Sequence, residues 1–157
     1  MTESQDATVA LARLAGVLGE LPDPSQVVVF THPGTPLPKA RARWSPKTHG
    51  FYTPRTTEAE EQSLAWEFRS ALGRRPRFND TVAIVALFYV ASRQRKDVDN
   101  LMKLVMDAAT KAGVWVDDSQ VTVQAAYLLL EPDAPRTVVA LAPCIGSLSR
   151  TPLLTAL

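Results

Sequence analysis

The stretch from Thr81 to Ala91 carries almost nothing that water would solvate. Val82, Ile84, Val85, Leu87, Phe88 and Val90 follow one another with too little alternation for a strand with one wet face. A strand this long that is buried on both faces is central in its sheet. Two helical patterns flank it. Leu64, Ala65, Phe68, Ala71 and Leu72 recur with helical period, Thr57 and Glu60 have the spacing of a capping box, and Gly73 can close the helix. Between Asp97 and Ala112, residues Leu101, Leu104, Val105 and Ala108 form a second apolar stripe, and Gly113 stands where a C-terminal cap is wanted.

Shorter signals complete the pattern. Val27 to Thr31 is a β-branched run that reads as the first strand, and Gly50 to Pro54 as a further extended piece. Val121, Val123, Ala125, Tyr127 and Leu129 alternate as in a half-buried strand, and Thr137 to Leu141 reads as an antiparallel return strand after Asp133-Ala134-Pro135. The sum is an α+β single domain over residues 27–142, with a mixed or mostly antiparallel sheet and two core helices packed on one face. Residues 1–26 read as an extension. Val9, Leu11, Leu14, Leu18 and Leu21 fall near helical spacing, and Leu21-Pro22-Asp23-Pro24-Ser25 breaks the helix as a linker. This short amphipathic helix docks either on the domain or on a partner. Residues 143–157 form a tail without clear period, expected to be loosely ordered or partner-bound.

Composition narrows the function classes. At 157 residues the chain can bury a core without disulfides or structural metal. The lone Cys144 excludes a disulfide framework and a cysteine-based zinc site, which fits a reducing cytoplasm. The N-terminus carries Glu3 and Asp6 and lacks a basic n-region, so nothing reads as a signal peptide. No apolar run reaches membrane-spanning length, and no membrane partner is expected.

The net charge of +1 conceals an uneven distribution. The first 26 residues hold Glu3, Asp6, Glu20 and Asp23 against Arg13, a net −3, which leaves +4 for the remainder. Lys39, Arg41, Arg43, Lys47 and Arg55 lie in a segment with no acid at all. Arg74 and Arg75 mark a second basic segment, and Arg93, Arg95 and Lys96 a third. Such segments beside clustered acids suit a polyanion held against metal-binding carboxylates; the plainer alternative is solvated loops. In the segment 39–43 a period of two would send Lys39, Arg41 and Arg43 to one side of an extended chain, as a clamp on a DNA backbone. Trp44, Phe51 and Tyr52 are available there to stack on bases or simply to pack.

The acids themselves sit in two short stretches, Lys96-Asp97-Val98-Asp99-Asn100-Leu101-Met102-Lys103 and Val116-Asp117-Asp118-Ser119-Gln120. Each acid has an ordinary explanation. Asp97 or Asp99 can be an N-cap, Asp99, Lys103 and Asp107 an i,i+4 ladder, and Asp117-Asp118 a turn before a strand. Brought together, however, four carboxylates repel unless a cation sits among them. Carboxylate oxygens with few imidazoles or thiols suit a hard ion such as Mg²⁺ or Mn²⁺. On that reading Asp97, Asp99 and Asp118 are metal ligands and Asp117 a fourth ligand or outer partner. Lys103, one turn after Asp99, is placed to act on a phosphate, and Asn100 can hold a ligand carboxylate or touch phosphate.

These two stretches, with Asp107-Ala108 between them, closely resemble the RusA family of Holliday junction resolvases. The family's signature is an Asp-x-Asp-Asn-Leu-x-Lys helix start followed by Asp-Asp-x-Gln-Val, and every fixed position is occupied here. Pro36 to Arg43 and Tyr52-Thr53-Pro54 look like the family's N-terminal half through looser motifs, so the resemblance covers about residues 27–142. It implies a small homodimeric, Mg²⁺-dependent endonuclease, with Mn²⁺ able to substitute, that places paired nicks in four-way DNA. It assigns catalytic roles to Asp97, Asp99, Lys103 and Asp118, and DNA contact to the basic residues above together with Asn100. It also implies a bacterial cytoplasm and a phage or prophage origin. Two alternatives stand beside it, a nuclease for other branched DNA such as flaps or forks, and a junction-binding or packaging factor that no longer cuts. Four retained charged positions argue against the last, since pure binding gains from removing negative charge near phosphates.

Overall fold

In the computed structural model, which describes residues 2–144, the apolar run becomes a strand with no face left for water. All nine residues of β4 (Val82–Val90) are buried. The other elements arrange themselves around it. In chain order they are α1 (Glu3–Leu18), β1 (Val28–Pro33), β2 (Arg43–Ser45), β3 (Gly50–Tyr52), α2 (Arg55–Leu72), then β4, α3 (Val98–Ala112), β5 (Val121–Leu130) and β6 (Arg136–Pro143). The main sheet has the order β1-β6-β4-β5, and β2 and β3 form a separate hairpin. Both neighbours of β6 run antiparallel to it, while β5 is parallel to β4. The sheet is therefore mixed, as expected. The return strand β6 does not lie beside β5, which it follows; it inserts between β1 and β4, where all but its last residue is buried. Most of the expected tail, residues 145–157, lies outside the described residues.

Alternate residues of β4 enter two separate cores. Val82, Ile84, Ala86 and Phe88 pack with Leu64, Phe68, Leu101, Leu104 and Val105 of α2 and α3. Ala83, Val85, Leu87 and Tyr89 face the other way, onto Ala10 and Leu14 of α1. The N-terminal helix thus docks on the domain and covers the sheet face opposite α2 and α3. A polar clamp fixes it there. Asp6 is buried and accepts from Arg136 Nε at 2.6 Å and Nη2 at 2.8 Å. The guanidinium also lies 3.8 Å from the centroid of the Tyr89 ring, so its charge meets both a carboxylate and a π face.

The helix ends follow local rules with one exception. Gly113 closes α3 in the left-handed conformation (φ 73°), where a side chain would be strained, and its N–H returns to the last turn. The capping box expected at Thr57 and Glu60 does not form. Pro54, with φ already set for a helix start, takes the N-cap position, and its carbonyl accepts from Thr57 and Glu58. Thr57 is then buried inside the first turns, and Glu60 turns to His32 Nε2 at 3.2 Å. No helix among the described residues is long and apolar enough to cross a membrane.

Because Asp6 and Arg136 are both buried, removing Asp6 takes from Arg136 the carboxylate that Nε and Nη2 bond and leaves it the Ala134 carbonyl and the Tyr89 face. Asp6→Ala should cost about 3–5 kcal/mol, read as a lower urea midpoint. Replacing both residues with apolar ones of similar volume should recover most of that loss. If Asp6→Ala leaves the midpoint unchanged, the helix is not held as described.

Candidate active site

The site is built on the β4–α3–β5 crossover. Asp97 ends the connection from β4 in an extended conformation and caps α3. Its Oδ1 accepts the backbone N–H groups of Asp99 (3.1 Å) and Asn100 (3.3 Å), and its Oδ2 accepts Asn100 Nδ2 at 2.8 Å. Asn100 therefore holds the Asp97 carboxylate, one of the two uses open to it from sequence. Three of the four or so acceptor sites on Asp97 are occupied, so one lone pair is left for a further partner. Asp99 and Lys103 project from the exposed side of α3 one turn apart.

At the far end of the helix the chain is pinned by a different device. Trp115 is fully buried and donates from Nε1 to Thr110 Oγ1 at 2.8 Å. Phe78 N–H bonds Val114 O at 2.8 Å. Asp117 then caps a single 3-10 turn (Asp118–Gln120). Its carboxyl is held below the ordinary carboxylate range, first by the Ser119 backbone N–H (2.7 Å) and next by the Ser119 hydroxyl. Gln120 completes the lock. Its Oε1 accepts from Val116 N (2.7 Å) and Asp117 N (3.2 Å), and its Nε2 donates to Phe78 O and Asp80 O, each at 3.0 Å. All of its amide capacity holds the Asp118 turn against the start of β4. The sequence reading quoted Gln120 without giving it this role; its signal was the capping spacing Asp117-x-x-Gln120.

Asp97 and Asp99 stand at the start of α3, and Asp117 and Asp118 follow its end. A parallel crossover starts its helix at one end of the sheet and its next strand at the other. With 1.5 Å rise per residue, α3 separates Asp99 from its own C-terminus by about 20 Å. Among the described residues, no three His, Cys, Asp or Glu side chains are placed to hold a metal ion. Asp99 lines two shallow depressions. Arg95, Lys96, Asp97, Val98 and Asp99 line the first. Asp99, Met102, Lys103 and Met106 line the second from α3, with Asp118 and Gln124 on the β5 side. Lys103 stands exposed in the second. The donors are oxygens only, exposed, and free of neighbouring thiols or imidazoles. Such a set fits Mg²⁺ bound by one or two carboxylates with waters and phosphate oxygens filling the rest of the shell.

The basic residues divide into two groups. Lys39 is half-buried and paired with Glu61 Oε2 (2.6 Å) and Asp107 Oδ2 (3.0 Å). Burial works against its charge, but these two acids outweigh it and raise its affinity for the proton above the ordinary lysine value. Asp107 Oδ1 lies 3.6 Å from Lys103, so one carboxylate steadies both lysines. Arg75 donates to the carbonyls of Ala71, Leu72, Ser25 and Val27, tying the linker to the end of α2. Arg41, Arg43, Lys47, Arg55, Arg74, Arg93 and Arg95 are exposed, and Lys96 is half-buried beside the first depression. The chain from 39 to 42 is not part of a strand, and Lys39 is engaged by two acids while Arg41 and Arg43 are exposed.

Comparison with known proteins points the same way. The family model for endodeoxyribonuclease RusA matches residues 33–142. The chain is 54% identical over 33 residues to proteins named crossover junction endodeoxyribonuclease RusA from Escherichia coli (strain K12) and Shigella sonnei (strain Ss046), and to one from Enterobacteria phage 82. That stretch is 21% of this chain and spans 28% of the length of each relative.

Scaffold and surface positions in this site should separate by stability. Gln120→Ala removes the hydrogen bonds to the partly exposed carbonyls of Phe78 and Asp80 and should cost about 0.5–1.5 kcal/mol. Asp118→Asn, at an exposed position beside Asp117, should leave the urea midpoint unchanged or slightly higher. Equal losses in both variants would mean that Asp118 is structural.

Proposed function

The chain belongs to the RusA family of endodeoxyribonucleases, and on that premise we propose that it resolves four-way DNA junctions by paired, symmetric phosphodiester cleavage with Mg²⁺ as cofactor. The observation that carries this reading is that Asp99 lines two depressions, one with Asp97 and the other with Lys103 and Asp118. In that assignment Asp97 and Asp99 hold the ion and Asp118 is the further carboxylate in the second depression. When bound, Mg²⁺ would make a coordinated water more acidic and stabilise charge on a phosphate oxygen.

The chain's own residues do the positioning. Asn100 fixes the Asp97 carboxylate, so that ligand is oriented before any ion arrives. Lys103, steadied by Asp107 and exposed in the second depression, donates to a non-bridging phosphate oxygen as negative charge grows there, and positioned cations of this kind are often the largest catalytic contribution. The exposed guanidinium groups of Arg93 and Arg95, with Lys96, flank the first depression and attract the backbone. Asp117, engaged with Ser119, is the outer carboxylate that sets the Asp118 turn. A junction with two-fold symmetry calls for two sites related by a two-fold axis, hence a homodimer. Bacterial cytoplasm and a phage or prophage setting follow from the same family reading, in keeping with the phage 82 relative.

The decisive comparison uses Asp97→Asn, because asparagine caps helices as well as aspartate and should leave α3 intact. With an end-labelled four-way junction and Mg²⁺, the wild-type chain should give symmetric paired nicks, and linear duplex should stay whole. Asp97→Asn should bind the junction at least as tightly and not cut it. Preferential cutting of flaps or forks would shift the assignment to those branches, and tight binding without cutting in Mg²⁺ or Mn²⁺ would leave a binding factor. Asn100→Ala should raise the Mg²⁺ concentration needed for half-maximal cleavage by about 10- to 100-fold, with little change at saturating metal.

A further inference from the structure

The β2–β3 hairpin holds the surface that folding explains least. Trp44, Phe51 and Tyr52 are 53%, 74% and 48% exposed. Among the described residues the hairpin lies apart from the helices and the main sheet, and Trp44 meets the rings of Phe51 and His49. Trp44 pairs across the strands with Phe51, and their rings meet edge to face at 5.3 Å, which leaves ring faces open. Arg43 pairs with Tyr52 in the next register position, on the opposite side of the ribbon. Arg41 leads into the hairpin, Lys47 sits in its turn and Arg55 follows it, all exposed and with no acid from residue 39 to residue 55.

These features describe the occupant. It must present flat apolar faces to the rings and carry negative charge at short intervals. Nucleobases on a phosphate backbone do both, and stacking on aromatic side chains is how unpaired bases are held. Paired duplex keeps its base faces inside the stack, so it offers the arginines phosphate but offers the rings nothing.

The root of the hairpin is tied to the start of α3. Lys39 N–H bonds Asn100 O at 2.9 Å, in the first turn of α3. Trp44 follows Lys39 by five residues and so lies within about 18 Å of it, even fully extended. We propose that this hairpin is a branch-point reader that stacks unpaired DNA bases on Trp44 and Phe51 while Arg41 and Lys47, outside the paired strands, hold the adjoining phosphates. The proposal rests on the nuclease reading above and deepens it by naming the substrate feature that is recognised, an unstacked base close to the scissile backbone.

The test is a binding titration of the full-length chain in EDTA, which separates recognition from cutting. Fluorescein-labelled oligo-dT, a linear duplex and a four-way junction carrying 2-aminopurine at the branch point are compared for wild type and Trp44→Ala/Phe51→Ala. Stacking contributes about 1–3 kcal/mol per base, roughly 5- to 150-fold in affinity. The double variant should therefore lose at least fivefold in affinity for oligo-dT and junction and stay within twofold of wild type on duplex. The 2-aminopurine signal change seen with wild type should disappear. Trp66→Ala removes an equally exposed ring on α2 and should change none of these values. Equal loss on all three DNAs, loss on none, or a change in the protein's native mass in the double variant would overturn the proposal; the last would make the hairpin a contact between copies. Stacking on oligo-dT by a chain that never cuts junctions would sink the nuclease reading and leave the hairpin's role standing. Junction cutting with unaltered binding by the double variant would do the reverse.

Discussion

A strand that can tolerate water on neither face dictates the layers of this molecule. β4 must have a partner strand on each side and a packed layer above and below. The helices α2 and α3 supply one layer, and the N-terminal helix supplies the other. Without α1, the residues Ala83, Val85, Leu87 and Tyr89 would face solvent, and alternate positions of a central strand cannot be turned away from it. The Asp6–Arg136 pair fits this requirement. It links the helix to β6, the strand between β1 and β4, so the covering layer is fastened at the middle of the sheet. The family match begins at residue 33 and leaves α1 outside it, yet in this chain α1 completes the core.

The same central strand determines where chemistry can sit. Since β5 runs parallel to β4, the link between them must cross over, and α3 is that link. Its apolar stripe is fixed against the sheet, which turns Asp99 and Lys103 outward by default. A helix with this orientation presents its start, its flank and the turn that follows it as one exposed strip. Asp97, Lys103 and Asp118 occupy those three places. The side chains proposed to act there are thus held on a helix and the turn that follows it while remaining exposed.

Patterns of local period were legible in the sequence. The buried strand, both core helices, the N-terminal helix and the alternating strand β5 all announce themselves, because burial on one or two faces leaves a repeat in the residues. The position of β6 was not legible, since insertion between β1 and β4 depends on which strand offers the better partner and no short-range signal reports it. The capping box at Thr57 failed because Pro54 had already started the helix three residues earlier. At the site, the residue types and their helical phase were readable. Which of the acids share a depression was not, because spacing along the chain says nothing about the direction of a crossover. Gln120 was visible as a letter and not as a lock, for two of its four hydrogen bonds reach residues about forty positions away.

Charge shows the same limit from the other side. Counting lysines and arginines treats Lys39 and Arg41 as equals, two residues apart in one basic loop. The fold separates them completely. Lys39 lies between two acids on two helices and closes the root of the hairpin, and Arg75 likewise faces backbone carbonyls that would otherwise be unmet. A cation surrounded by such partners has little left for a phosphate, since each new contact must displace one already made. Among the described residues, Arg41, Arg43 and Lys47 have no ion-pair partner, and they lie on the hairpin of the exposed rings or next to it. The electrostatic footprint of this protein is therefore narrower than its composition suggests. It consists of the hairpin and the approach to α3, and the two are joined at the hydrogen bond between Lys39 and Asn100. That single backbone contact relates the surface that would recognise a branch to the carboxylates that would cut it.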